Sequence, residues 1–153
     1  MLRLSKLGDY GTVMMAHMAR EPSRVFSAAE VAAAVGVGLP TVSKLLKILA
    51  RNGLLVSHRG TKGGYTLARS PGEISIAQII DAVEGTVGMT ECSVTVGLCA
   101  QEPRCLARGS WLRINQVVRS ALEGVRLAEF AQPVATRIDL RVMHAGRRFD
   151  AAD

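Results

Sequence analysis

Residues 27–53, "SAAEVAAAVGVGLPTVSKLLKILARNG", decide the fold of this 153-residue chain. Ser27 and Glu30 form an S-x-x-E capping box, which satisfies the free amides at the start of a helix over 28–34. The glycines of "GVG" supply a tight turn because they accept backbone angles that other residues resist. Pro40 lies in the first turn of a second helix, where proline is tolerated, and an Asn-Gly pair ends that helix. Two helices joined by a short glycine-containing turn predict a helix-turn-helix.

The second helix separates its apolar from its polar side chains at helical spacing. Its inward positions are Val42, Leu45, Leu46 and Leu49. Its outward face is basic, and we predict that four of its residues contact double-stranded DNA: Thr41, Ser43, Lys44 and Lys47. Lysine can bond guanine acceptors, so Lys44 is the expected base reader, whereas Lys47 equally suits a phosphate contact. Ser27, at the start of the first helix of the helix-turn-helix motif, is a further candidate for a phosphate contact.

The next segments, "LLVSHR" over 54–59 and "YTLAR" over 65–69, are predicted to form two strands. The intervening "GTKGG" contains glycines that suit a hairpin turn. A hairpin directly after the second helix makes a wing, whose tip is expected near the DNA backbone or in the minor groove. We therefore add Arg59, Thr61 and Lys62 to the predicted DNA contacts.

The basic residues are concentrated in the first half of the chain. Residues 1–70 hold ten Lys and Arg against three Asp and Glu, whereas residues 71–153 hold nine against ten. A basic half is the expected place for a polyanion-binding surface. Charge alone fits an ordinary solvated surface as well, so the prediction of DNA binding depends on the motif.

Several classes of protein do not fit this sequence. No apolar run reaches the roughly 18 residues of a membrane span, and the N-terminus lacks the apolar core and cleavage site of a signal peptide. The chain also lacks a C-x-x-C motif, a glycine-rich phosphate loop after a strand and an evident Ser/His/Asp or Cys/His set. We therefore expect a cytoplasmic protein that is not an enzyme, with no membrane partner and no small-molecule substrate.

Three further helices are predicted around the helix-turn-helix, over 6–19, 75–84 and 109–125. The apolar face of the first is Leu7, Tyr10, Met14 and Met18. The last helix is long, and its apolar stripe is Trp111, Ile114, Val118, Ala121, Leu122 and Val125. At the far end of a small domain, such a stripe is expected to pack on a partner subunit, which predicts a homodimer, or back on the first helix.

The predicted fold is mainly α with a small β-hairpin wing. It divides into a winged helix-turn-helix region (1–85), a cysteine loop (86–107), a dimerisation helix with a short following helix (108–131) and a tail (132–153). The tail has several arginines and no steady hydrophobic period, so we expect it to be flexible.

All three cysteines lie within 14 residues, as Cys92, Cys99 and Cys105 in a C-x6-C-x5-C spacing. Clustered thiols in a cytosolic protein indicate metal or redox chemistry more often than a disulfide framework. Thiolate is the usual protein ligand of iron–sulfur clusters, and an irregular loop can bring several thiolates together. Structural zinc sites are generally four-coordinate with C-x2-C-type spacing, so a cluster is favoured over zinc. Inert buried thiols are the remaining interpretation, which a polar, glycine-containing loop disfavours.

The chain resembles the IscR/NsrR/RirA-like winged-helix regulators in "LRLSKLGDYG" (2–11), "HRGTKGGYTLAR" (58–69) and "ISIAQIIDAVEG" (74–85). The helix-turn-helix and the three-cysteine loop before a Trp-containing helix extend the resemblance, which is greatest to the branch controlling the SUF iron–sulfur assembly system. It covers residue 1 to about residue 131. The wing motif with the cysteine triad downstream is far more specific than a helix-turn-helix alone. The resemblance implies a dimeric transcription regulator whose DNA affinity depends on an iron–sulfur cluster, with 4Fe-4S favoured and 2Fe-2S as the alternative.

Three cysteines leave the fourth ligand of such a cluster unassigned. In the IscR-like pattern a histidine follows the third cysteine by three positions, and this chain has Arg108 there. Arginine does not ligate iron. The histidines of the chain, His17, His58 and His144, fall in the first helix, the wing and the tail, and none is an evident replacement.

A carboxylate is the other candidate for the fourth ligand. In the nitric-oxide-sensing branch an aspartate near the start of the first helix completes the site from the other subunit, and Asp9 matches that position. Asp9 equally suits the first turn of a helix, where the helix dipole favours an acid. Glu91 and Glu102 flank the cysteines and are alternatives, as are water and a small thiol.

We therefore predict a transcription regulator that senses cluster or iron status, oxygen or nitric oxide, and that regulates iron–sulfur assembly genes. One alternative is a thiol- or zinc-switched winged-helix regulator that contains no iron. A less favoured alternative is a thiol oxidoreductase.

Overall fold

The computed structural model describes residues 4–132, and their fold is mainly helical with one antiparallel hairpin, as predicted. The predicted tail and His144 lie outside the described residues. The helices are α1 (Lys6–Met18), α2 (Ala28–Val35), α3 (Leu39–Arg51), α4 (Ile76–Glu84), α5 (Glu91–Val94), α6 (Arg108–Gly124) and α7 (Leu127–Ala131). The strands are β1 (Leu55–His58) and β2 (Gly64–Leu67).

The helix-turn-helix forms where its sequence signals place it. Ser27 caps α2, since its Oγ accepts the Glu30 N–H at 3.2 Å and its own N–H donates to the Glu30 carboxylate at 2.8 Å. Gly36 ends α2 in the left-handed region, at φ 68°, which favours glycine. The axes of α2 and α3 are bent by 117° at the turn. Within residues 4–132, no single helix is long and apolar enough to cross a membrane.

The core lies where α1, α3 and α4 pack together. The predicted inward residues of α3 are all fully buried: Val42, Leu45, Leu46 and Leu49. On α1, Met14 and Met18 are buried as predicted, and Met15 joins them. The prediction for Leu7 is wrong, because its side chain is 38% exposed. The inward face of α1 near that point is formed instead by glycine.

Gly8 and Gly11 allow α1 to lie close to α4. A Cβ at Gly8 would meet the carboxylate of Glu84, and one at Gly11 would lie 3.1 Å from Val83. Glu84 in turn accepts hydrogen bonds from the backbone N–H and the hydroxyl of Ser5, at 3.2 and 2.7 Å. The end of α4 is thereby tied to the start of α1.

The hairpin is shorter than predicted, and a residue from outside it pairs with its second strand. Leu55 pairs with Leu67 and His58 with Gly64, so residues 59–63 form the tip. Phe26, just before α2, makes an antiparallel bridge to Tyr65, with N–H to O distances of 2.9 and 2.8 Å. The wing is therefore anchored to the helix-turn-helix through backbone hydrogen bonds.

The long helix α6 packs on α4 and α5 and has no buried residue. Its predicted stripe is divided: Val118, Leu122 and Val125 are half-buried against the same chain, whereas Trp111, Ile114 and Ala121 are exposed. Val117 is also exposed, at 57%. Half of the stripe thus packs on its own subunit, chiefly on α4 rather than on the first helix, and half is left uncovered.

Candidate functional site

The outward face of α3 carries the predicted DNA-reading residues. Lys44 and Lys47 are exposed, and Thr41 and Ser43 are half-buried beside them. The opposite face of the same helix is fully buried in the core, so these four side chains cannot turn inward without unfolding α3. A rigid basic helix face of this kind can enter a major groove.

The wing tip presents the other predicted contacts. Arg59, Thr61 and Lys62 are all exposed within the five-residue tip. The tip turns at Gly60, at φ 109°, and closes with a hydrogen bond from the Gly63 N–H to the Gly60 carbonyl at 2.9 Å. Its two cations are therefore held at the end of a short, backbone-bonded hairpin.

Arg24 lies beside the predicted phosphate contact Ser27, and the sequence reasoning missed it. Its guanidinium pairs with Glu21 at 3.0 Å and with Glu30 at 2.9 Å, and it lies 4.7 Å from the ring centroid of Phe26. The pair with Glu21 raises the pKa of Arg24 above its usual value. The hydrogen bond from the Ser27 backbone N–H, supported by Arg24, lowers the pKa of Glu30. Arg24 thus completes the capping box that fixes Ser27.

The three cysteines lie on the segment between α4 and α6, which is more regular than the predicted loop. Cys92 belongs to α5 and is 8% exposed, with its Sγ 3.2 Å from Thr90 Oγ1. Cys99 and Cys105 are half-buried, and Cys105 directly follows a short 3-10 turn. All three thiols are free. Over residues 4–132, no three His, Cys, Asp or Glu side chains converge in a metal-holding arrangement.

Glu102 and Arg108 interact with each other inside this segment. The Glu102 side chain is 10% exposed, accepts the Gly97 N–H at 2.6 Å and pairs with Arg108 Nη2 at 2.7 Å. Arg108 and Glu102 line a depression of about 630 Å³ together with Cys99. The Nε of Arg108 is buried and has no hydrogen-bond partner in the described part of the chain.

The other candidate ligands are placed as follows. Asp9 is exposed in the first turn of α1 and lines a groove of about 490 Å³ that also contains residues 85–88 of the same chain. Glu91 is exposed at the start of α5. His17 packs edge-on against a phenylalanine ring, and His58 Nε2 bonds Thr66 Oγ1 at 2.9 Å across the hairpin. The structure therefore groups none of these side chains with the three cysteines.

Residues 85–90 connect α4 to α5, and we call residues 85–89 the stem of the cysteine segment. The Val87 N–H donates to Asp81 Oδ1 of α4, and the Met89 N–H donates to Asn115 Oδ1 of α6, both at 3.1 Å. These two side chains were not predicted. No local motif could have revealed them, because the bond from Met89 to Asn115 joins residues 26 positions apart.

Comparison with known proteins identifies the family. A family model described as "Rrf2: Iron-dependent Transcriptional regulator" matches residues 4–133. The chain belongs to the Rrf2 family. An HTH-type transcriptional regulator IscR from Xenorhabdus nematophila is 31% identical to this Rrf2-family chain over 132 residues, covering 86% of this chain and 80% of the relative.

Two solved Rrf2-like structures support the fold. CymR, the global cysteine regulator of B. subtilis, matches with a TM-score of 0.67 and 28% identity, over 86% of this chain and 97% of CymR. T. potens IscR matches with a TM-score of 0.67 and 25% identity, over 89% of this chain and 93% of IscR. The chain is thus an IscR-like transcriptional regulator of this family, with the winged-helix architecture described above.

Proposed function

We propose that this chain is a homodimeric regulator whose affinity for operator DNA depends on an iron–sulfur cluster bound through Cys92, Cys99 and Cys105. The observation that carries the proposal is the position of the thiols. All three lie on the one segment that joins the DNA-binding half to the exposed helix α6. The description of the family as iron-dependent supports the same chemistry.

The residues of this segment fit such a group in chemistry. They supply three free thiols, and the seven- and six-residue intervals between them are long enough for the chain to bring the thiols together. The buried Arg108 Nε without an acceptor is a second indication. A buried donor without a partner indicates that a bound group supplies its acceptor, and the sulfur atoms of a thiolate-bound cluster accept hydrogen bonds. A bound cluster would supply a link among the three thiolates that oxygen, nitric oxide or iron shortage removes.

The protein's own residues would read the operator in two ways. Lys44 and Lys47, with Thr41 and Ser43, would enter the major groove on α3, whereas Arg59, Thr61 and Lys62 would contact the backbone or the minor groove from the wing. Ser27 would donate its hydroxyl to a phosphate, because its Oγ accepts only the Glu30 N–H in the cap. The buried face of α3 and the bridge from Phe26 to Tyr65 keep both readers in fixed orientation.

The exposed half of the α6 stripe supports dimerisation. Trp111 and Ile114 of the stripe are exposed on a helix with no buried residue, as is Val117 beside them, and neighbouring exposed apolar side chains of this kind mark an interaction surface. In a twofold dimer, α6 would pack on its own copy. The distance between the two α3 helices, which operator half-sites about 34 Å apart require, would then depend on α6.

A thiol sensor without iron is the second candidate, and one observation favours it. CymR, the global cysteine regulator of B. subtilis, is among the matching structures, and within residues 4–132 the three thiols are free and are not grouped around a metal position. In that case oxidation of the thiols, rather than loss of a cluster, would alter the segment.

Anaerobic purification separates the two candidates. We expect a brown protein with visible absorption, bound iron and acid-labile sulfide, and Mössbauer or resonance Raman spectra then give the cluster type. Exposure to air should bleach the protein and change its operator affinity in the same time course. A colourless, iron-free protein whose operator affinity responds to a thiol oxidant would overturn the cluster proposal in favour of the thiol sensor.

A further inference from the structure

The stem at residues 85–89 is held from two sides. Asp81 Oδ1 accepts the Val87 N–H from the α4 side, and Asn115 Oδ1 accepts the Met89 N–H from the α6 side. Both bonds are partly buried, which protects them from competition with water. Two alternate amides of a short connection are therefore fixed by side chains from two different helices.

The same side chains are connected to each other. Arg119 lies one helical turn after Asn115 on α6 and pairs with Asp81, with Nη2 to Oδ2 at 2.8 Å. Residues four apart share one face of a helix. From that one face of α6, Asn115 therefore bonds the stem and Arg119 bonds α4. We call Asp81, Asn115 and Arg119 the stem clasp.

The stem residue that Asn115 holds, Met89, lies three positions before the first cysteine, Cys92. Met89 is followed by Thr90, whose hydroxyl contacts Cys92 Sγ at 3.2 Å and Ser93 Oγ at 2.7 Å. Gly88 supports the same geometry, since a Cβ there would collide with the side chain of Val94. Cys92 is accordingly the buried thiol, whereas Cys99 and Cys105 are half-buried farther along the segment.

We infer that Asn115 and Asp81 are positioning residues that hold Cys92 as the fixed thiol onto which Cys99 and Cys105 close. This inference rests on the proposed function for the role of the three thiols. It assigns different roles to cysteines that the sequence presents as equivalent. It also makes Asn115 a connection between α6 and the stem of the cysteine segment, in addition to the Glu102–Arg108 pair farther along that segment.

The first test uses the full-length, metal-free, reduced protein and needs no cluster. The probe is iodoacetamide, and the alkylation rate of each cysteine is assigned by mass-spectrometric fragment ions. In the parent, Cys92 should react the slowest. Asn115→Ala should increase the alkylation rate of Cys92 about fivefold, the factor expected for loss of one partly buried hydrogen bond. The alkylation rates of Cys99 and Cys105 should stay within about twofold of the parent.

Two further variants separate positioning from general destabilisation. Asn115→Asp keeps an Oδ acceptor for the Met89 N–H and should restore the slow reaction of Cys92. Gln116→Ala removes an exposed amide one position along α6 and should match the parent. Equal acceleration of all three thiols, no change in Asn115→Ala, or failure of Asn115→Asp to restore Cys92 would each overturn the inference.

The second test loads the same proteins with iron and sulfide under anaerobic conditions. Asn115→Ala should lose its visible absorption in air about fivefold faster than the parent, while Asn115→Asp and Gln116→Ala should bleach at the parent rate. Identical bleaching of Asn115→Ala and the parent would overturn the positioning role. A parent that takes up no chromophore contradicts the proposed function instead, and the alkylation rates then still decide whether Asn115 anchors Cys92.

Discussion

Arg119 of α6 and Asp81 of α4 form the ion pair that ties the exposed helix to the DNA-binding half of the chain. The pair has two contacts, Nη2 to Oδ2 at 2.8 Å and Nη1 to Oδ1 at 3.4 Å. The side chains of Arg119 and Asp81 are 30% and 26% exposed. The Asp81 carboxylate raises the pKa of Arg119 above its usual value. Because Asp81 also accepts the Val87 N–H, one carboxylate joins α4, α6 and the stem.

Replacement of Arg119 should therefore destabilise the fold measurably. We expect Arg119→Ala to lower the free energy of unfolding by about 0.5–1 kcal/mol, since a partly exposed pair is worth little more. The measurement is urea denaturation followed by circular dichroism. Glu123→Gln is the matched control, because it removes only the exposed pair to Arg119 on the same helix and should cost about 0.3 kcal/mol. An Arg119→Ala effect no larger than the control would show that the α4–α6 pair contributes nothing.

The two elements that we propose contact the operator, α3 and the wing, should respond differently to loss of a lysine. Lys44→Ala on α3 should lower affinity for the cognate operator by roughly 1–3 kcal/mol and reduce sequence preference. Lys62→Ala in the wing should weaken binding to all DNA sequences alike. It should also reduce the slope of log affinity against log salt concentration by about one unit. Band shifts over a salt series measure both effects, with Arg113→Ala, an exposed cation on α6, as the control. Unchanged affinity in both lysine variants would contradict the docking of α3 and the wing.

Each cysteine should be needed for the chromophore. Cys92→Ala, Cys99→Ala and Cys105→Ala, purified without oxygen, should each lose most of the visible absorption, because the chain has no other thiol to replace the one removed. The content of bound iron and acid-labile sulfide should fall in parallel. Any single variant that keeps full colour removes its residue from the ligand set, and circular dichroism shows whether each colourless variant is still folded.

Acid should weaken the capping box through Glu30. Hydrogen bonds from Ser27, aided by Arg24, place the folded-state pKa of Glu30 below the ordinary value of 4.5. A depressed folded pKa contributes stability that is complete above the unfolded value and is lost as the pH falls through the folded value. The stability difference between the parent and Glu30→Gln, from urea midpoints, should therefore shrink below about pH 4. A difference that stays constant from pH 7 to pH 3 would exclude the charge of Glu30 as its source.

Local signals explain why the DNA-binding half could be predicted. The Ser27 capping box, the glycine turn and the apolar face of α3 each act within a few residues, and each appears in the structure as expected. The error at Leu7 has a different origin. Helical spacing identifies a face, but the close approach of α4 at Gly8 turns the packed face away from that leucine.

Long-range pairing explains what the sequence could not provide. No sequence pattern near Asp81 or Asn115 predicts their hydrogen bonds, because their partners lie in another helix or in the stem, up to 38 positions away. The bridge from Phe26 to Tyr65 is missed for the same reason, since a single residue has no strand period. The division of the α6 stripe between its own subunit and an exposed surface also depends on tertiary packing.

The fourth ligand is tested at Asp9. Asp9 is exposed on α1 and lines a groove beside the stem, whereas Glu102 is already bonded to Arg108 and Gly97. Carboxylate oxygen is a harder ligand than thiolate and a poorer match to a sulfur-bound iron. If Asp9 is the fourth ligand, Asp9→Ala should keep the dimer, measured by light scattering, but should alter the visible spectrum and quicken bleaching in air. Asp9→Cys should slow the bleaching, because it supplies the better-matched thiolate. Glu102→Gln is the comparison: if it, and not Asp9→Ala, changes the spectrum and the bleaching rate, the ligand is Glu102 and Asp9 is only an acid at a helix start.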